Sequence, residues 1–299
     1  MPTIDLSQLP QPTIIEELDF EEILIEVKAV MVAAYPVDHQ TAVIAALALE
    51  SEPLNIIAQA IAYREMLLRQ RINEGVAASM LSHSTGDDLD NIAANLDTER
   101  LVITEATDTA DAVMESDEAL RLRAQSAFEG MSVAGPSAAY EYFARSASGK
   151  VADVRASSPS PAEIIIAVLS TEGDGSASPE LIAAVTNAVN DEEVRPLGDR
   201  VTVRSAEIVD YEIDATLYLY PGPESEPIIN AADASLQRFL KASDRKISRD
   251  VARSAISAAL HVQGVQRVVL NSPTEDLRIS DTQTARNTNY HLENGGTDE

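Results

Sequence analysis

The run Ser116-Asp117-Glu118-Ala119-Leu120-Arg121-Leu122-Arg123 has the sequence of a helix that begins at a capping serine. A serine at this position accepts a hydrogen bond from the first helical turn, and the two carboxylates after it lie where the helix dipole favours negative charge. Gly130 is placed to end this helix, and Ser137 is placed to cap a second one. Strand-forming runs follow near residues 151–154 and 164–169, with a proline-containing turn between them. The stretch therefore predicts helix, helix, strand, turn and strand.

The chain after this stretch predicts one more helix and strand, and then a second module. Ser178 and Pro179 are residue types of a helix start, and a short strand is expected near residues 201–203. Apolar and polar residues alternate strictly over 209–220, which is typical of a strand with one buried and one solvated face. Two helices and a strand near 265–270 follow. We therefore expect an α+β fold, with two small α+β modules in succession.

The chain before these modules has helical periodicity. Helices are expected over about 13–35 and 40–50, after an arm that contains several prolines. Pro53 then opens a long helix that reaches about Leu81 and measures roughly 40 Å at 1.5 Å per residue. Such a length suits a helix that packs in a bundle with another subunit. Its predicted apolar stripe consists of Leu54, Ile57, Ile61, Leu68 and Ile72.

The exposed side of the long helix is the predicted subunit contact, and it includes Tyr63, Arg64 and Arg71. The segment after Ser280 is a second candidate contact, because its Thr, Asn and Gly content predicts a flexible tail that becomes ordered on binding. The whole chain is expected to be an extended, multi-domain subunit. Its predicted parts are an N-terminal arm and helical domain (1–113), a central α+β module (114–206), a C-terminal α+β module (207–280) and a flexible tail (281–299).

The composition restricts the classes of function. The net charge is -27, with 49 acidic and 22 basic residues, so the surface repels phosphate backbones and we expect no nucleic-acid partner. General acidity from a salty habitat is the alternative cause of this charge. There are no cysteines, which excludes disulfides and thiolate metal sites. We expect neither a signal peptide nor a membrane span, since no basic and apolar leader and no run of about 18 apolar residues occur.

The best candidate for catalysis is the row of carboxylates Asp210, Glu212 and Asp214 on the predicted 209–220 strand. Alternate residues of a strand lie about 6–7 Å apart on one face, within the range of an acid/base pair in a glycosidase. A solvated face of a very acidic protein explains the row better, because acid/base chemistry needs neighbours that separate two pKa values. An acidic hydrolase using this row is therefore the alternative function.

Other reactive patterns are incomplete. The acidic cluster Asp87, Asp88 and Asp90 lacks the glycine and glutamate that a calcium loop requires, and Gly173-Asp174-Gly175 lacks the lysine of a phosphate loop. The four histidines have no metal-ligand spacing on one helix. Arg121 and Arg123 are an anion site or, more simply, partners of carboxylates. We expect no enzyme, no cofactor and no metal.

The order of several short motifs resembles the baseplate J-like proteins of contractile-tailed phages. Each motif is weak alone, but together they cover most of the chain from about 60 to 275. The motifs are Arg64 to Asn73, Gly86 to Ala93, Ser116-Asp117-Glu118, Ala134-Gly135-Pro136-Ser137-Ala138-Ala139-Tyr140, Val151-Ala152-Asp153-Val154, Gly173-Asp174-Gly175, Ser178-Pro179-Glu180-Leu181, Val194-Arg195-Pro196-Leu197-Gly198-Asp199 and Tyr218-Leu219-Tyr220-Pro221-Gly222-Pro223.

This resemblance implies a structural wedge component of a tail baseplate. It implies that copies of the protein join a second wedge subunit and the sheath-initiating wedge protein, and that the wedges close into a sixfold ring around the central hub. It further implies that rearrangement of this ring helps to trigger sheath contraction. The expected location is the virion tail baseplate, and the host cytoplasm during assembly. No catalytic residue is carried over, because the functional residues of such a family are interface surfaces.

Overall fold

The fold is α+β, as the sequence predicts. The computed structural model describes residues 4, 6, 9, 10, 12–107, 109–132, 134–222 and 225–297. In this part of the chain no helix is long and apolar enough to cross a membrane. The elements are, in order, α1 (Phe20–Ala33), α2 (Val37–Leu47), α3 (Pro53–Ala78), α4 (Gly86–Ala94), β1 (Val102–Thr104), β2 (Val113–Met114), α5 (Asp117–Ser126), α6 (Ser137–Ser146), β3 (Val151–Ser160), β4 (Glu163–Ser170), α7 (Pro179–Val189), β5 (Arg200–Ser205), β6 (Glu207–Leu219), α8 (Glu226–Ser243), α9 (Arg253–Leu260), β7 (Val265–Ser272) and β8 (Gln283–Thr297).

The chain divides into two compact units, residues 2–97 and 98–299. This division lies earlier than the predicted boundary at 113. The physical reason is a hydrogen-bonded network: the Arg123 side chain donates to the carbonyl of Glu99, and the Leu101 amide donates to a carboxylate oxygen of Glu115 at 3.2 Å. These bonds hold residues 99–101 in the second unit. The predicted domain boundaries stay predictions.

The first unit is helical, and α1, α2 and α3 share one small core. Asp19 caps α1, because its carboxylate accepts from the amides of Glu21 and Glu22. The long helix α3 has 26 residues, which corresponds to about 39 Å. Its contribution to the core is small in volume, since it buries alanines there. The buried apolar residues are Ile23, Leu24, Val27, Val43, Leu47, Ala58 and Ala62.

Most of the predicted apolar stripe of α3 is exposed, and only Leu54 packs against the core of the first unit. Ile57, Ile61, Leu68 and Ile72 are 52%, 46%, 60% and 58% exposed. The buried apolar residues of α3 are the small side chains of Ala58 and Ala62, which allow α1 and α3 to approach closely. The large aliphatic residues lie beside this buried strip, on the exposed surface of the helix. Periodicity alone does not tell which of two apolar sides a neighbouring helix covers.

The central module pairs β3 with β4 in an antiparallel hairpin, and β5 joins β4 in parallel. Helices α6 and α7 cover the core of this sheet. Ser116 and Ser178 act as caps, as predicted, and accept from the amides of Ala119 and Leu181. Ser137 does not: it is the first residue of α6, Pro136 occupies the capping position, and no side chain there caps the helix.

Gly130 does not end α5, which stops at Ser126. It lies instead in a short 3₁₀ turn, Ala127–Met131. A side chain at this position would overlap the ring of Tyr142, so the glycine is required by the close approach of an aromatic ring. The sequence indicated a special position here but not its cause.

The C-terminal module is a three-stranded sheet with β6 in the centre, antiparallel to β7 and parallel to β8. Helices α8 and α9 cover one face. The alternation over 209–220 is confirmed: Ile213, Ala215 and Leu217 of β6 are almost fully buried, while Asp210 and Glu212 are exposed.

The predicted flexible tail is wrong for residues 283–297. They form β8, which pairs with β6 from Glu207 opposite Gln283 to Leu219 opposite Thr297. The segment has little apolar alternation, but backbone hydrogen bonds to β6, the central strand of the sheet, hold it in place. Tyr290 and Leu292 add packing against the module core.

The two modules contact each other along a seam. Ala206 alone connects β5 with β6, and it is buried beside Ile247 from the segment between α8 and α9. The Ile247 amide donates to Oδ2 of Asp153 at 2.9 Å, and Arg245 donates to the carbonyls of Ser170 and Gly173. A buried carboxylate and a guanidinium therefore link the C-terminal module to the central sheet.

Candidate assembly interface

The predicted contact residues Tyr63, Arg64 and Arg71 lie on the exposed side of α3. Tyr63 is 53% exposed, and the side chain of Arg71 is 82% exposed. At 100° per residue, Arg64 and Arg71 are neighbours near the middle of this side. Apolar side chains flank them on both edges. We call these exposed residues the α3 face; besides the three named, it contains Ile56, Ile57, Ile61, Leu67, Leu68 and Ile72.

The two arginines of the α3 face are weakly engaged within the chain. Arg71 meets Glu74 at 3.4 Å, an exposed pair one turn away that contributes little to stability. Arg64 makes no ion pair with a residue in the ranges described. Both guanidinium groups are therefore available to a carboxylate from outside the chain.

Arg69 has a different role, because it faces α1. Its guanidinium binds Glu65 on its own helix, Glu26 on α1 at 3.0 Å and Glu16 at 3.5 Å. The hydrogen bond to Glu65 is the main reason that the pKa of Arg69 is raised. Arg69 thus holds the helices of the first unit together, while the arginines of the α3 face point away from them.

A second apolar surface of the first unit is a groove between α1 and α2, which sequence reasoning missed. It has a volume of about 580 Å³ and one basic residue, Lys28, at its side. Val30, Val37 and Ile44 are exposed on the same two helices. Exposed apolar surface of this extent is typical of a protein that binds other proteins. A signal existed in the sequence, since α1 and α2 carry more apolar residues than one helix face can bury.

Two of the family-like motifs meet in the central module. Tyr140 is buried, and its hydroxyl donates to Oδ2 of Asp199 at 2.8 Å. Burial is the main reason that the pKa of Tyr140 is raised, and the Asp199 carboxylate raises it further. Gly135, with φ +73°, packs directly against Pro196, so a side chain there would overlap it. These residues hold the start of α6 against the loop before β5, which is a structural function.

The carboxylate row of β6 lies on the solvated face of the sheet and does not form an acid/base pair. Arg286 of β8 donates two hydrogen bonds to Asp210, at 2.7 and 2.8 Å. These bonds lower the pKa of Asp210 and keep it ionised. Asp214 receives a weak hydrogen bond from Asn271 at 3.4 Å. The arrangement is an ion pair on a polar sheet face, and no observation favours the hydrolase alternative.

The remaining candidate sites are also structural. Arg123 is buried and donates to both carboxylate oxygens of Glu115, at 2.9 and 2.6 Å, so it is a partner of a carboxylate and not an anion site. Asp87 and Asp88 lie in the first turn of α4, where the helix dipole favours them. Among the residues described, no group of three His, Asp or Glu side chains is placed to hold a metal ion.

Comparison with known proteins identifies the family. Three family models match the chain: the baseplate J-like N-terminal domain over residues 50–107, the central domain over 132–205 and the C-terminal domain over 211–289. Baseplate protein J of Escherichia phage P2 is 55% identical over 303 residues, and the match covers 100% of both chains. The chain belongs to the baseplate J-like family.

Membership confirms the resemblance that the motifs indicated, and with it a structural role in a phage tail baseplate. The relative is a baseplate protein, which points away from an enzyme. Among solved structures, a chain of the anti-feeding prophage (AFP) baseplate, determined by cryo-EM with 6-fold symmetrisation, is also similar. It shares 15% identity and a TM-score of 0.38 over 61% of this chain and 47% of that one.

Proposed function

We propose that this protein is a wedge subunit of a contractile-tail baseplate, and that it joins its partners through the α3 face. Its partners are copies of itself, a second wedge subunit and the sheath-initiating wedge protein, and the wedges close into a sixfold ring around the hub. The observation that carries the proposal is the long helix with an exposed side of large apolar residues around two weakly engaged arginines. A monomeric protein gains nothing from exposing them.

The charge distribution favours an acidic partner on this face. The chain as a whole has a net charge of -27, which keeps subunits apart and soluble in the host cytoplasm before assembly. The α3 face presents two cations within an apolar surround. A carboxylate of a partner that approaches these arginines loses water and gains a charge-assisted hydrogen bond. Such bonds fix the position of the partner along α3 and exclude basic partners.

The seam between the two modules supports a role in coupling ring rearrangement to sheath contraction. Asp153 is 7% exposed, and it bonds both Arg145 of α6 and the Ile247 amide of the C-terminal module. Breaking this link leaves a buried carboxylate with fewer partners, which is costly. The two modules therefore transmit a force as one body.

Charge reversal on the α3 face tests the proposal. Arg64→Glu combined with Arg71→Glu is expected to abolish co-purification with co-expressed neighbouring tail proteins. The matched control is Arg238→Glu with Lys241→Glu, which makes the same change of charge on exposed positions of α8. Unchanged co-purification of the Arg64 and Arg71 variant, with circular dichroism like the parent protein, would show that the α3 face is not the contact.

A substitution at an apolar position of the α3 face tests the contribution of packing separately from that of the arginine charges. Leu68 is 60% exposed, so Leu68→Asp removes little from the fold of the free chain but places a carboxylate in the interface. We expect loss of the complex in size exclusion with light scattering, and an unchanged unfolding midpoint. A complex that forms equally well with Asp at this position contradicts the proposed burial.

A further inference from the structure

The outer edge of β8 is an open sheet edge. The strand order is β7-β6-β8, so β8 has β6 on one side only. On its other side, Thr284 bridges to Ile247, and the Ser248 amide donates to the Gln283 carbonyl at 2.9 Å. Beyond this point, over 285–297, no strand of the described chain pairs with the outer side. Its backbone amides and carbonyls there form a template for a further strand.

The edge strands β3, β5 and β7 of the two three-stranded sheets are protected. Glu141 and Arg145 of α6 bond the outer edge of β3, at the Ala156 amide (3.1 Å) and the Val154 carbonyl (3.3 Å). On β7, Arg253 donates to the carbonyl of Leu270 at 2.8 Å. The short strand β5 exposes Arg200 and Arg204. Proteins use such devices to prevent strand addition.

β8 has fewer such devices: Arg286 is its one arginine, and the Asn294 side chain accepts from the Gly296 amide at 2.9 Å near the end of the strand. It has 15 residues, and neither lysine nor proline occurs among them. Its charged residues at neutral pH are Arg286 and Glu293, seven residues apart. An edge that is long, nearly neutral and free of proline, in a chain that protects the edges of β3, β5 and β7, indicates a strand partner.

The pairing with β6 determines which side chains of β8 share the solvated face. Arg286 lies opposite Asp210, and Asn289, His291 and Glu293 lie opposite successive residues of the same face of β6. The register shifts at Thr288, which is one extra residue in β8. In a regular strand, residues seven apart lie on opposite faces. The bulge therefore brings Arg286 and Glu293 to the same face.

This pattern is self-complementary. Suppose that a second copy of β8 pairs antiparallel about a two-fold axis at Tyr290. Asn289 then lies opposite His291 of the second copy. Arg286 lies opposite Glu293 of the second copy, because Thr288 is an extra residue and both positions are then three steps from Tyr290. Each pair places residues of the solvated face together, as sheet geometry requires. Opposite charges meet at both ends, whereas a parallel arrangement in register would place like charges side by side.

We propose that β8 pairs with β8 of a second copy of this chain, so that two three-stranded sheets become one continuous sheet across a two-fold axis. This deepens the proposed function, on which it rests, by assigning a surface to the contact between copies. A single strand pair between two acidic chains is weak by itself. Neighbouring contacts in an assembled ring raise the effective concentration and stabilise it.

Directed disulfide formation tests the register, because the chain has no cysteines of its own. Asn289→Cys and His291→Cys are made as separate variants and mixed at high protein concentration in about 0.5 M salt, which screens charge repulsion. Opposite residues of an antiparallel pair have Cα atoms about 4.5–5.5 Å apart, within disulfide range. The mixture should therefore yield several-fold more disulfide-linked dimer than either variant alone. A second mixture, of Leu197→Cys and Tyr220→Cys, measures random collision, since both residues are exposed and lie outside β8.

Glu293→Lys, added to both cysteine variants, should reduce the yield because Lys then faces Arg286, while Glu226→Lys should not. A mixture that gives no more dimer than the single variants, or than the collision control, would overturn the proposal. Both cysteine positions are exposed and polar, and circular dichroism establishes that the variants are folded. If the linked dimer does not form, but the Arg64 and Arg71 reversal abolishes co-purification with tail proteins, the β8 pairing alone is refuted. If the linked dimer forms, but this reversal leaves co-purification unchanged, the α3 contact alone is refuted.

Discussion

Replacing Glu115 by glutamine should destabilise the second unit strongly, because it leaves the charge of Arg123 buried without a counter-ion. The side chains of Glu115 and Arg123 are 5% and 6% exposed. Arg123 donates to both oxygens of Glu115, to the Glu99 carbonyl and, at 3.4 Å, to Ser146. A glutamine retains the shape and can still accept from one guanidinium nitrogen, but it removes the negative charge.

The expected loss follows from the burial of this pair. Removing one partner of a buried ion pair costs about 3–5 kcal/mol, because the remaining charge cannot recover its hydration. Exposed pairs such as Arg71 with Glu74 contribute about 0–1 kcal/mol. For a unit of about 200 residues, each kcal/mol corresponds to about 2–4 °C, so the melting temperature should fall by about 6–20 °C.

Urea unfolding followed by circular dichroism measures this change, and hydrogen exchange of the α5 amides locates it. The double variant Glu115→Gln, Arg123→Met should recover more than half of the loss, since it removes the uncompensated charge. Glu118→Gln, at an exposed position in the first turn of α5, should leave the free energy of unfolding almost unchanged. A loss below about 1 kcal/mol for Glu115→Gln, the range of exposed pairs, would refute the reasoning.

Three further predictions follow from single contacts. Gly295→Val should detach the end of β8 and increase its hydrogen exchange, because a Cβ there would lie 2.9 Å from the ring of Tyr218. Tyr140→Phe should lower the free energy of unfolding by about 1–3 kcal/mol in urea titrations, because it removes the hydrogen bond to Asp199 at 2.8 Å. The pKa of Asp210 is lowered in the folded chain, mainly by its hydrogen bonds from Arg286. This ion pair therefore stabilises the folded state fully at pH values above the unfolded pKa, near 4. The stabilisation is lost as the pH falls through the lower pKa of the folded state. Asp210→Asn should therefore lose less stability between about pH 5 and pH 2 than the parent protein, as acid unfolding would measure.

Matched variants make these predictions falsifiable. Gly198→Val is the control for Gly295→Val, since no atom lies within 4 Å of its added Cβ, and equal exchange in both variants would contradict the steric argument. Tyr220→Phe, at an exposed tyrosine, should not change stability; an equal loss there would argue against the Tyr140 hydrogen bond. Acid-unfolding curves of Asp210→Asn and the parent that run parallel throughout would contradict the ion-pair assignment.

Local sequence patterns predicted much of the fold correctly. Ser116 and Ser178 cap helices because a serine before a helical run has a local partner two or three residues away. The alternation along β6 predicted its buried face, since side chains of a strand alternate between two sides. The order of short motifs predicted the family, which the comparisons confirm.

The candidate site was predictable only in part. Tyr63, Arg64 and Arg71 are exposed on α3, as expected, but their role in contact stays a prediction. The apolar stripe was predicted for a helix that suits a bundle with another subunit, and the structure shows that most of it is exposed. Which side of α3 is buried depends on the close approach of α1 to Ala58 and Ala62, and a helical repeat does not encode the position of another helix.

What the sequence determined by itself is therefore everything that depends on neighbours within a few residues: helix starts, the alternation of β6 and the family motifs. Only the tertiary structure decided that residues 283–297 are a strand, that Tyr140 meets Asp199, and that Glu115 neutralises Arg123. The physical reason is the same in each case. Backbone pairing and buried charge compensation join groups that are distant along the chain, and their energies depend on that encounter and not on the residues beside them.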